Sequence, residues 1–265
     1  MILNDLLNTY SDGVYLVGFF VFMIGAAIGS FINVLVDRLI HGESIMGRSH
    51  CDHCKKTLLW YDLFPIFSYL VIGGKCRRCH TKLSLEHPVV EILTGLLFIG
   101  TWIIVPLGSL ILYWGIVSCA WVIFLSDVRY KLISDYMQLA FFLCIFFQKI
   151  LDKASFFSLL TDCFAAITIL LPIWLIYVIS RERAMGLGDV ILAGIIGFAL
   201  GIGKGILALY CAFIVGAVIG VFLLISQKKG MKSAVPFGPF LLIGMVIASV
   251  WGDKLIHIFM KLYGF

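Results

Sequence analysis

Long apolar stretches separated by short polar segments make up most of the chain after residue 13. A helix needs about 20 apolar residues to cross the hydrocarbon core of a bilayer. By this measure the pattern predicts eight membrane-spanning helices, near 14–36, 89–106, 108–126, 134–151, 156–180, 189–203, 205–226 and 235–252. We therefore predict an all-α polytopic membrane protein, in which residues 37–88 form the one sizeable polar segment.

Composition supports this class. Hydrophobic residues make up 62% of the chain and charged residues 13%, with a mean hydropathy of +1.07. A soluble domain carries about twice that charged fraction. The net charge of +5 is modest and reflects loop placement, so we expect a lipid bilayer and no nucleic acid as partner. The first apolar run is too long for a cleavable signal peptide and follows Asp5 and Asp12, so none is expected.

Basic residues are concentrated on one side of the predicted bundle. The loops 37–88, 127–133, 181–188 and 227–234 hold 8, 2, 2 and 3 Lys and Arg residues, fifteen of the chain's twenty. An excess of Lys and Arg marks the cytoplasmic loops of membrane proteins. We therefore predict that these four loops face the cytoplasm.

Two aspartates stand at the edges of apolar stretches on this predicted cytoplasmic side. Asp127 follows the run ending at Ser126, and Asp189 closes Gly186-Leu187-Gly188-Asp189 and opens the next run. Ionisable groups beside membrane spans are costly to keep and mark functional sites. Two carboxylates that face each other across a bundle can share a proton, as in aspartic proteases. Each also has a structural alternative, because Asp127 could cap a helix and Asp189 could be the N-cap of the sixth span.

Such a pair can hydrolyse a peptide bond without a covalent intermediate. The ionised carboxylate takes a proton from water, and the protonated one donates a hydrogen bond to the scissile carbonyl oxygen. Gly186 and Gly188 are expected to let the substrate backbone approach Asp189 closely. Asp135, near the start of the fourth span, is interpreted as a helix cap or a substrate-positioning group.

Glycines four residues apart occur in two of the predicted spans. Gly25 and Gly29 lie in the first span, and Gly197 and Gly201 lie in the sixth. This spacing is typical of helices that pack closely in membranes, although glycine is also simply common there.

The polar segment contains two Cys-x-x-Cys pairs separated by 21 residues. Two such pairs are typical of a four-thiolate zinc knuckle with ligands Cys51, Cys54, Cys76 and Cys79. Two disulfides or a dithiol redox centre are the alternatives, and a cytoplasmic location disfavours stable disulfides. Zinc with four protein thiolates has no open coordination position, so its role would be structural.

Several nearby residues have open interpretations. His50, His53 and His80 could replace a cysteine ligand or be solvated loop residues. Asp62, Glu86 and Glu91 could contact a methyl donor or the substrate amine, or could equally be solvated. The remaining cysteines lie in apolar runs and are interpreted as small core residues: Cys119, Cys144, Cys163 and Cys211.

Motifs along almost the whole chain resemble those of the bacterial prepilin peptidases, or type IV leader peptidases. The first are Gly29-Ser30-Phe31-Ile32-Asn33-Val34 and the double cysteine pair. The others lie at 37–39, 48–51, 60–70, 83–84, 88–95, 127–135, 186–190 and 236–240. The GxGD string is weak alone, but the order of these pieces makes the match specific.

The resemblance implies an activity. It implies a membrane-embedded aspartic endopeptidase that cuts the leader of type IV prepilins and type II secretion pseudopilins after a glycine at the cytoplasmic face of the bacterial inner membrane. It places the catalytic roles on Asp127 and Asp189, with prepilin or pseudopilin helices as partners. It also implies N-methylation of the new N-terminal residue with S-adenosylmethionine. No glycine-rich nucleotide fingerprint follows a strand, so the sequence shows no independent donor site.

The resemblance also implies a division of the chain. Residues 1–106 would form the methylation-associated region, with the four-cysteine loop at 37–88, and residues 107–265 the six-span peptidase domain. The chain departs from the family's frequent pattern at two positions. Ser134 stands where Pro often precedes the second aspartate of the cytoplasmic patch, and Ile191 stands where Lys often follows GxGD.

Two other functions remain as alternatives. A presenilin-like intramembrane protease also uses GxGD, but its Pro-Ala-Leu element is absent from the sequence. A non-catalytic membrane scaffold or transporter with a zinc-knuckle docking loop would not need Asp127 or Asp189.

Overall fold

The computed structural model of the chain describes residues 2–44, 47–51, 53–152, 154–183, 185–225 and 235–262. The predicted cytoplasmic loop 227–234 lies outside these residues. Within the described residues, eight α-helices follow one another in the order α1 Ile2–His41, α2 Phe67–Val71, α3 Glu86–Ile104, α4 Leu110–Tyr130, α5 Asp135–Leu151, α6 Phe156–Ser180, α7 Leu187–Ile225 and α8 Gly238–Leu262. Two short 3₁₀ turns lie at Trp60–Leu63 and Leu107–Ser109.

The prediction of an all-α polytopic membrane protein is confirmed. Among the described residues, six helices are long and apolar enough to cross a membrane. The predicted fourth span corresponds to α5, which has 17 residues and is therefore near the lower limit for a crossing helix. The predicted sixth and seventh spans both lie within the 39 residues of α7.

Helix α7 is two helices joined at Gly201. The backbone there is non-helical, with φ 75° and ψ 179°, a conformation that only glycine adopts readily. A Cβ placed on Gly205 would lie 3.6 Å from the Cα of Gly197, whereas residues eight apart in a continuous helix are separated by about 12 Å. The chain therefore folds back at Gly201, and the two predicted spans are present as a helical hairpin.

The chain divides into two compact units, Met1–Val122 and Ile123–Phe265. In the first unit α1 packs against α3, and the contact is close enough that a Cβ on Gly25 would lie 2.8 Å from the Phe98 Cβ. A Cβ on Gly29 would lie 2.7 Å from the Thr94 hydroxyl. The predicted packing role of this glycine pair is confirmed.

In the second unit α7 packs against α6 and α8, with α5 also in contact. A Cβ on Gly197 would lie 2.8 Å from the Ala165 carbonyl of α6, and one on Gly244 would overlap the Ala208 carbonyl oxygen of α7. The predicted packing role of Gly201 is wrong, because a Cβ there meets no atom within 4 Å and the residue instead forms the bend.

Large apolar side chains cover much of the helix surface, as expected of a protein that faces lipid. Ile104, Ile111, Phe157 and Ile179 are each at least 70% exposed. The interpretation of the isolated cysteines as core residues is wrong for Cys163, which is exposed, whereas Cys119, Cys144 and Cys211 are half-buried.

Candidate active site

Asp127 lies in the last turn of α4 and is buried. Its Oδ2 atom accepts a hydrogen bond of 2.9 Å from the backbone N–H of Gly238. Gly238 is the first residue of α8, where backbone N–H groups have no partner within the helix. The carboxylate therefore caps a helix that lies 111 residues further along the chain.

Asp189 lies in the first turn of α7 and is also buried. Its Oδ2 atom accepts a hydrogen bond of 3.3 Å from the Gly186 N–H. Its Oδ1 atom is buried and accepts no hydrogen bond from any described residue. A buried carboxylate oxygen without a donor costs free energy in a folded protein, so Oδ1 is the atom available to a water or a substrate.

The structure brings Asp127 and Asp189 close enough for their charges to repel each other. Each carboxylate also faces the N-terminus of a helix, whose partial positive charge stabilises an anion. Burial disfavours the ionised form of the two carboxylates, and the two helix N-termini favour it. Asp127 does cap a helix, as its structural alternative held. The N-cap alternative for Asp189 is wrong, because Asp189 is the third residue of α7.

Ile133 fills the space between the two glycine turns. A Cβ on Gly188 would lie 3.0 Å from the Ile133 Cβ, and one on Gly238 would lie 2.8 Å from Asp127 Oδ2 and 3.1 Å from the Ile133 Cδ1. Ile133 therefore occupies the space that a side chain at residue 188 would take, and the close approach of a substrate backbone to Asp189 stays a prediction. A Cβ on Gly186 would meet only Asp189 Oδ2, at 3.8 Å.

Gln138 is a site residue that the sequence analysis missed. It lies in α5 with 2% of its surface exposed, and its Nε2 atom donates a hydrogen bond of 2.6 Å to the Gly188 carbonyl. The signal was present in the sequence as a lone polar residue in an otherwise apolar part of the fourth span. Asp135, by contrast, lies in the first turn of α5 and is exposed.

The two cysteine pairs form equivalent turns. In the first, the Cys51 N–H donates to the Lys56 carbonyl and the Lys55 N–H donates to the Cys51 carbonyl. In the second, the Cys76 N–H donates to the Thr81 carbonyl and the His80 N–H donates to the Cys76 carbonyl. Lys55 and His80 have φ values of 54° and 55°, and each turn closes on an isolated β-bridge, His50 with Thr57 and Lys75 with Lys82.

The turns bring the four predicted ligands together. All four Sγ atoms lie within 4.8 Å of one another, and Cys51 Sγ lies 3.8 Å from Cys79 Sγ. Tetrahedral zinc with Zn–S bonds of about 2.3 Å requires sulfur atoms about 3.8 Å apart. The cysteines are free thiols rather than disulfides, and the cluster fits a zinc ion.

Two of the four thiols have shifted pKa values. Hydrogen bonds from the Thr81 hydroxyl and the Thr81 N–H lower the pKa of Cys79 to about 6. At Cys51, backbone hydrogen bonds at Cys54 and His53 act in the same direction, but burial and the neighbouring thiols outweigh them and raise its pKa to about 11. A bound cation would stabilise the thiolate form of all four residues.

The other candidates in this loop have defined positions. The thiolate cluster contains no histidine among the described residues, and His53 and His80 are exposed. Asp62 forms an ion pair of 2.7 Å with Arg77, and Glu91 is buried in α3, where it accepts a hydrogen bond of 2.7 Å from the Ile66 N–H. The interpretation of Asp62 and Glu91 as solvated loop residues is therefore wrong, whereas Glu86 is exposed.

Comparison with known proteins shows similarity over nearly the whole chain. Residues 23–105 match the family model described as the bacterial peptidase A24 N-terminal domain, and residues 114–221 match that of the type IV leader peptidase family. A type 4 prepilin-like proteins leader peptide-processing enzyme of Escherichia coli is 30% identical, covering 83% of this chain and 88% of its own. This chain belongs to the type IV leader peptidase family.

Other relatives of the leader peptidase family align over most of both chains. A prepilin leader peptidase/N-methyltransferase of Legionella pneumophila is 29% identical over 96% of this chain and 97% of its own. The enzyme of the same name from Pseudomonas aeruginosa is 27% identical over 92% of this chain and 93% of its own. No solved structure matches the chain. The family resemblance inferred from the motifs is confirmed.

The two departures from the leader peptidase pattern leave the aspartates unaffected. Ser134 precedes α5 with φ −73° and ψ 127°, which is backbone that proline also adopts. Ile191 is exposed on α7 two residues after Asp189, so an apolar side chain stands on the surface where the family often has lysine. Ser134 therefore preserves the backbone of the turn before α5, and Ile191 replaces a frequent positive charge with an apolar side chain on the surface beside Asp189.

Proposed function

We propose that this chain is a membrane-embedded aspartic endopeptidase that removes the leader of type IV prepilins and type II secretion pseudopilins after a glycine. The proximity of the buried Asp127 and Asp189 carboxylates is the observation that carries the proposal. Relatives named as prepilin leader peptidases support the substrate class.

The carboxylates divide the chemistry of hydrolysis between them. Two close carboxylates do not both ionise readily, so the pair holds one proton. The ionised member removes a proton from water as the water attacks the scissile carbonyl carbon, and the protonated member donates a hydrogen bond to the carbonyl oxygen. Asp189 Oδ1 has no donor among the described residues and is the oxygen best suited to contact the reacting water.

We propose that the site faces the cytoplasm of the bacterial inner membrane. The four loops predicted to share one face carry fifteen of the twenty Lys and Arg residues, and the positive-inside rule assigns such loops to the cytoplasm. A prepilin helix in the same bilayer would leave its basic leader on this side, at the depth of the two aspartates.

The test is cleavage of a prepilin that carries its leader by the purified full chain. We expect Asp127→Asn and Asp189→Asn each to abolish cleavage, because neither amide can replace the titratable carboxyl. Asp253→Asn is the matched control, since Asp253 is an aspartate of the same unit with 85% of its side chain exposed, and it should cleave at the wild-type rate. Cleavage at the wild-type rate by either dyad variant would show that the two aspartates do not carry the reaction, whereas an unchanged chain that cleaves no prepilin would support the non-catalytic scaffold or transporter.

We propose that the chain also methylates the amine that cleavage exposes, as the names of its relatives state for those proteins. S-adenosylmethionine supplies the methyl group when bound, leaving S-adenosylhomocysteine and one proton. Exposed aromatic rings beside a guanidinium, Trp60, Tyr61 and Arg77, fit a nucleoside that bears a carboxylate. We further propose that the four-cysteine cluster binds one structural zinc ion.

A further inference from the structure

A shallow aromatic cavity lies in the loop between the two cysteine pairs and belongs to the first unit alone. Its volume is about 280 Å³, and its walls include Trp60, Tyr61, Phe64, Phe67 and Arg77. Small-molecule sites are mostly apolar, with a few polar groups that fix the ligand's orientation. The cavity has this composition, and the peptidase mechanism makes no use of it.

Two aromatic pairs form the apolar wall. The rings of Trp60 and Tyr61 meet edge to face with centroids 5.6 Å apart, and those of Phe64 and Phe67 do so at 5.9 Å. Trp60 is 79% exposed, so a face of its indole is open to a ligand. Nucleic-acid bases stack on such exposed rings.

Arg77 supplies the polar end of the cavity. Its Nε atom pairs with Asp62 Oδ1 at 2.7 Å, and its guanidinium lies 5.1 Å from the Tyr61 ring centroid. Asp62 is itself held with only 10% of its side chain exposed. Asp62 Oδ1 has no hydrogen-bond partner among the described residues, so this contact is an ion pair without hydrogen-bond geometry. A carboxylate is the group that a guanidinium binds best in a two-point contact, and the two terminal nitrogens of Arg77 can make that contact.

A strained turn fixes the directions of the ring-bearing residues. Ile66 has φ 62° and ψ −53°, and the Phe67 N–H donates to the Pro65 carbonyl at 2.6 Å, which closes a γ-turn. The Glu91 carboxylate of α3 accepts the Ile66 N–H at 2.7 Å. A β-branched residue persists in such a conformation only where its surroundings enforce it, and such strain is concentrated at functional sites.

We propose that this cavity binds S-adenosylmethionine, with the adenine on the exposed Trp60 face and the methionine carboxylate on the terminal nitrogens of Arg77. The aromatic faces also attract the sulfonium charge. The proposal rests on the methyltransferase function proposed above and assigns its donor site to the first unit, apart from the two aspartates.

The test is calorimetric titration of the full chain in nanodiscs with S-adenosylhomocysteine, the unreactive product. Trp60→Ala removes the stacking face and Arg77→Ala removes the carboxylate contact, and each should raise Kd by about tenfold or more. Arg78→Ala is the matched control, since Arg78 is the exposed arginine next in the same Cys-x-x-Cys turn, and its Kd should equal the wild-type value.

Further variants separate loss of the site from loss of the fold. Trp60→Phe keeps an aromatic face and should restore most of the affinity. Bound zinc and the melting temperature should be equal in all variants that are compared. A wild-type Kd for both Trp60→Ala and Arg77→Ala would overturn the donor site while leaving methylation in place.

Two other results would also overturn the proposal. Wild-type chain that neither binds S-adenosylhomocysteine nor methylates a cleaved pilin would remove the methyltransferase function together with its site. A benzoylphenylalanine at position 60 that crosslinks to lipid acyl chains, with no competition by S-adenosylhomocysteine, would show that the rings face the bilayer instead.

Discussion

At the scale of single residues, both carboxylates are positioned by glycine turns. Gly238 donates its N–H to Asp127 and Gly186 donates its N–H to Asp189. Gly238 also leaves space that a side chain would take from the Asp127 carboxylate and from Ile133, whereas a Cβ on Gly186 would meet Asp189 Oδ2 only at an ordinary contact distance of 3.8 Å. The position of the Asp127 carboxylate therefore depends on the absence of a side chain at residue 238, as well as on the hydrogen bond from the Gly238 N–H.

Gly238→Ala should reduce leader cleavage strongly without preventing folding. The added Cβ would lie 2.8 Å from Asp127 Oδ2, so the carboxylate must shift, and a misplacement of about 1 Å costs on the order of 100-fold in rate. The measurement is kcat for prepilin cleavage.

Gly220→Ala is the control for this change. Gly220 lies in α7, and a Cβ there meets no atom within 4 Å, so the variant should retain wild-type kcat. An equal loss in both variants would mean that glycine content, rather than the position of Asp127, controls the rate.

The two aspartates could be recognised from the sequence, because the free-energy cost of an ionisable side chain beside an apolar run depends only on its sequence neighbours. Their hydrogen bonds could not be predicted in the same way. The Gly238 N–H reaches Asp127 across 111 residues, and no periodicity encodes which helix terminus meets which side chain. Gln138 was missed for the same reason, because its contact with Gly188 exists only after α5 and α7 have packed.

At the scale of helices, the second unit contains two ion pairs with nearly equal N–O distances and different burial. Lys149 and Asp162 pair at 2.7 Å with side chains 21% and 12% exposed, whereas Lys204 and Asp253 pair at 2.8 Å with side chains 29% and 85% exposed. The Lys149 ammonium also lies 5.5 Å from the Phe198 ring centroid. Burial is the main difference between the two pairs.

Asp162→Ala should lower the melting temperature of the purified chain more than Asp253→Ala. Removing one partner of a buried pair leaves an uncompensated charge and costs about 3 kcal/mol, whereas an exposed pair contributes about 1 kcal/mol or less. Thermal unfolding in one detergent measures both variants. Equal shifts would show that the Lys149 ammonium reaches solvent once its partner is removed.

The existence of the helices and the break between residues 189–203 and 205–226 were both predictable, but the residue that forms the break was not. The apolar pattern separated 189–203 from 205–226 only weakly, yet the chain does reverse between them, because Gly201 adopts a backbone that other residues resist. The packing of Gly25, Gly29 and Gly197 followed from their spacing, whereas Gly201 has the same spacing and a different role. Spacing alone cannot tell a contact from a bend.

At the scale of the whole molecule, the chain contains two compact units with separate chemistry. The four-cysteine cluster lies in the first unit and the aspartate pair lies in the second. The cysteine spacing was sufficient to predict the cluster, because each ligand pair lies within one tight turn. The aromatic cavity had no such signal, since it is formed by a γ-turn and by a buried glutamate of α3.

Zinc removal should act on the first unit and spare the second. Strong chelation of the purified chain should open residues 49–83 to limited proteolysis, because both turns close around the same four thiols. The helices from Asp135 onward should stay resistant, and added zinc should restore protection. Mass spectrometry of the fragments locates the cuts, and an unchanged pattern after metal loss would show that the loop does not need the ion.

The bend at Gly201 has a topological consequence. The predicted spans between Asp127 and Gly238 are α5, α6 and the two halves of α7, an even number that returns the chain to the face on which it started. Only that parity lets Gly238, at the start of α8, bond to Asp127. An odd count would leave the donor and the carboxylate on opposite leaflets. Any insertion or deletion that changes the number of spans between residues 131 and 237 would therefore separate Gly238 from Asp127, even with both aspartates unchanged.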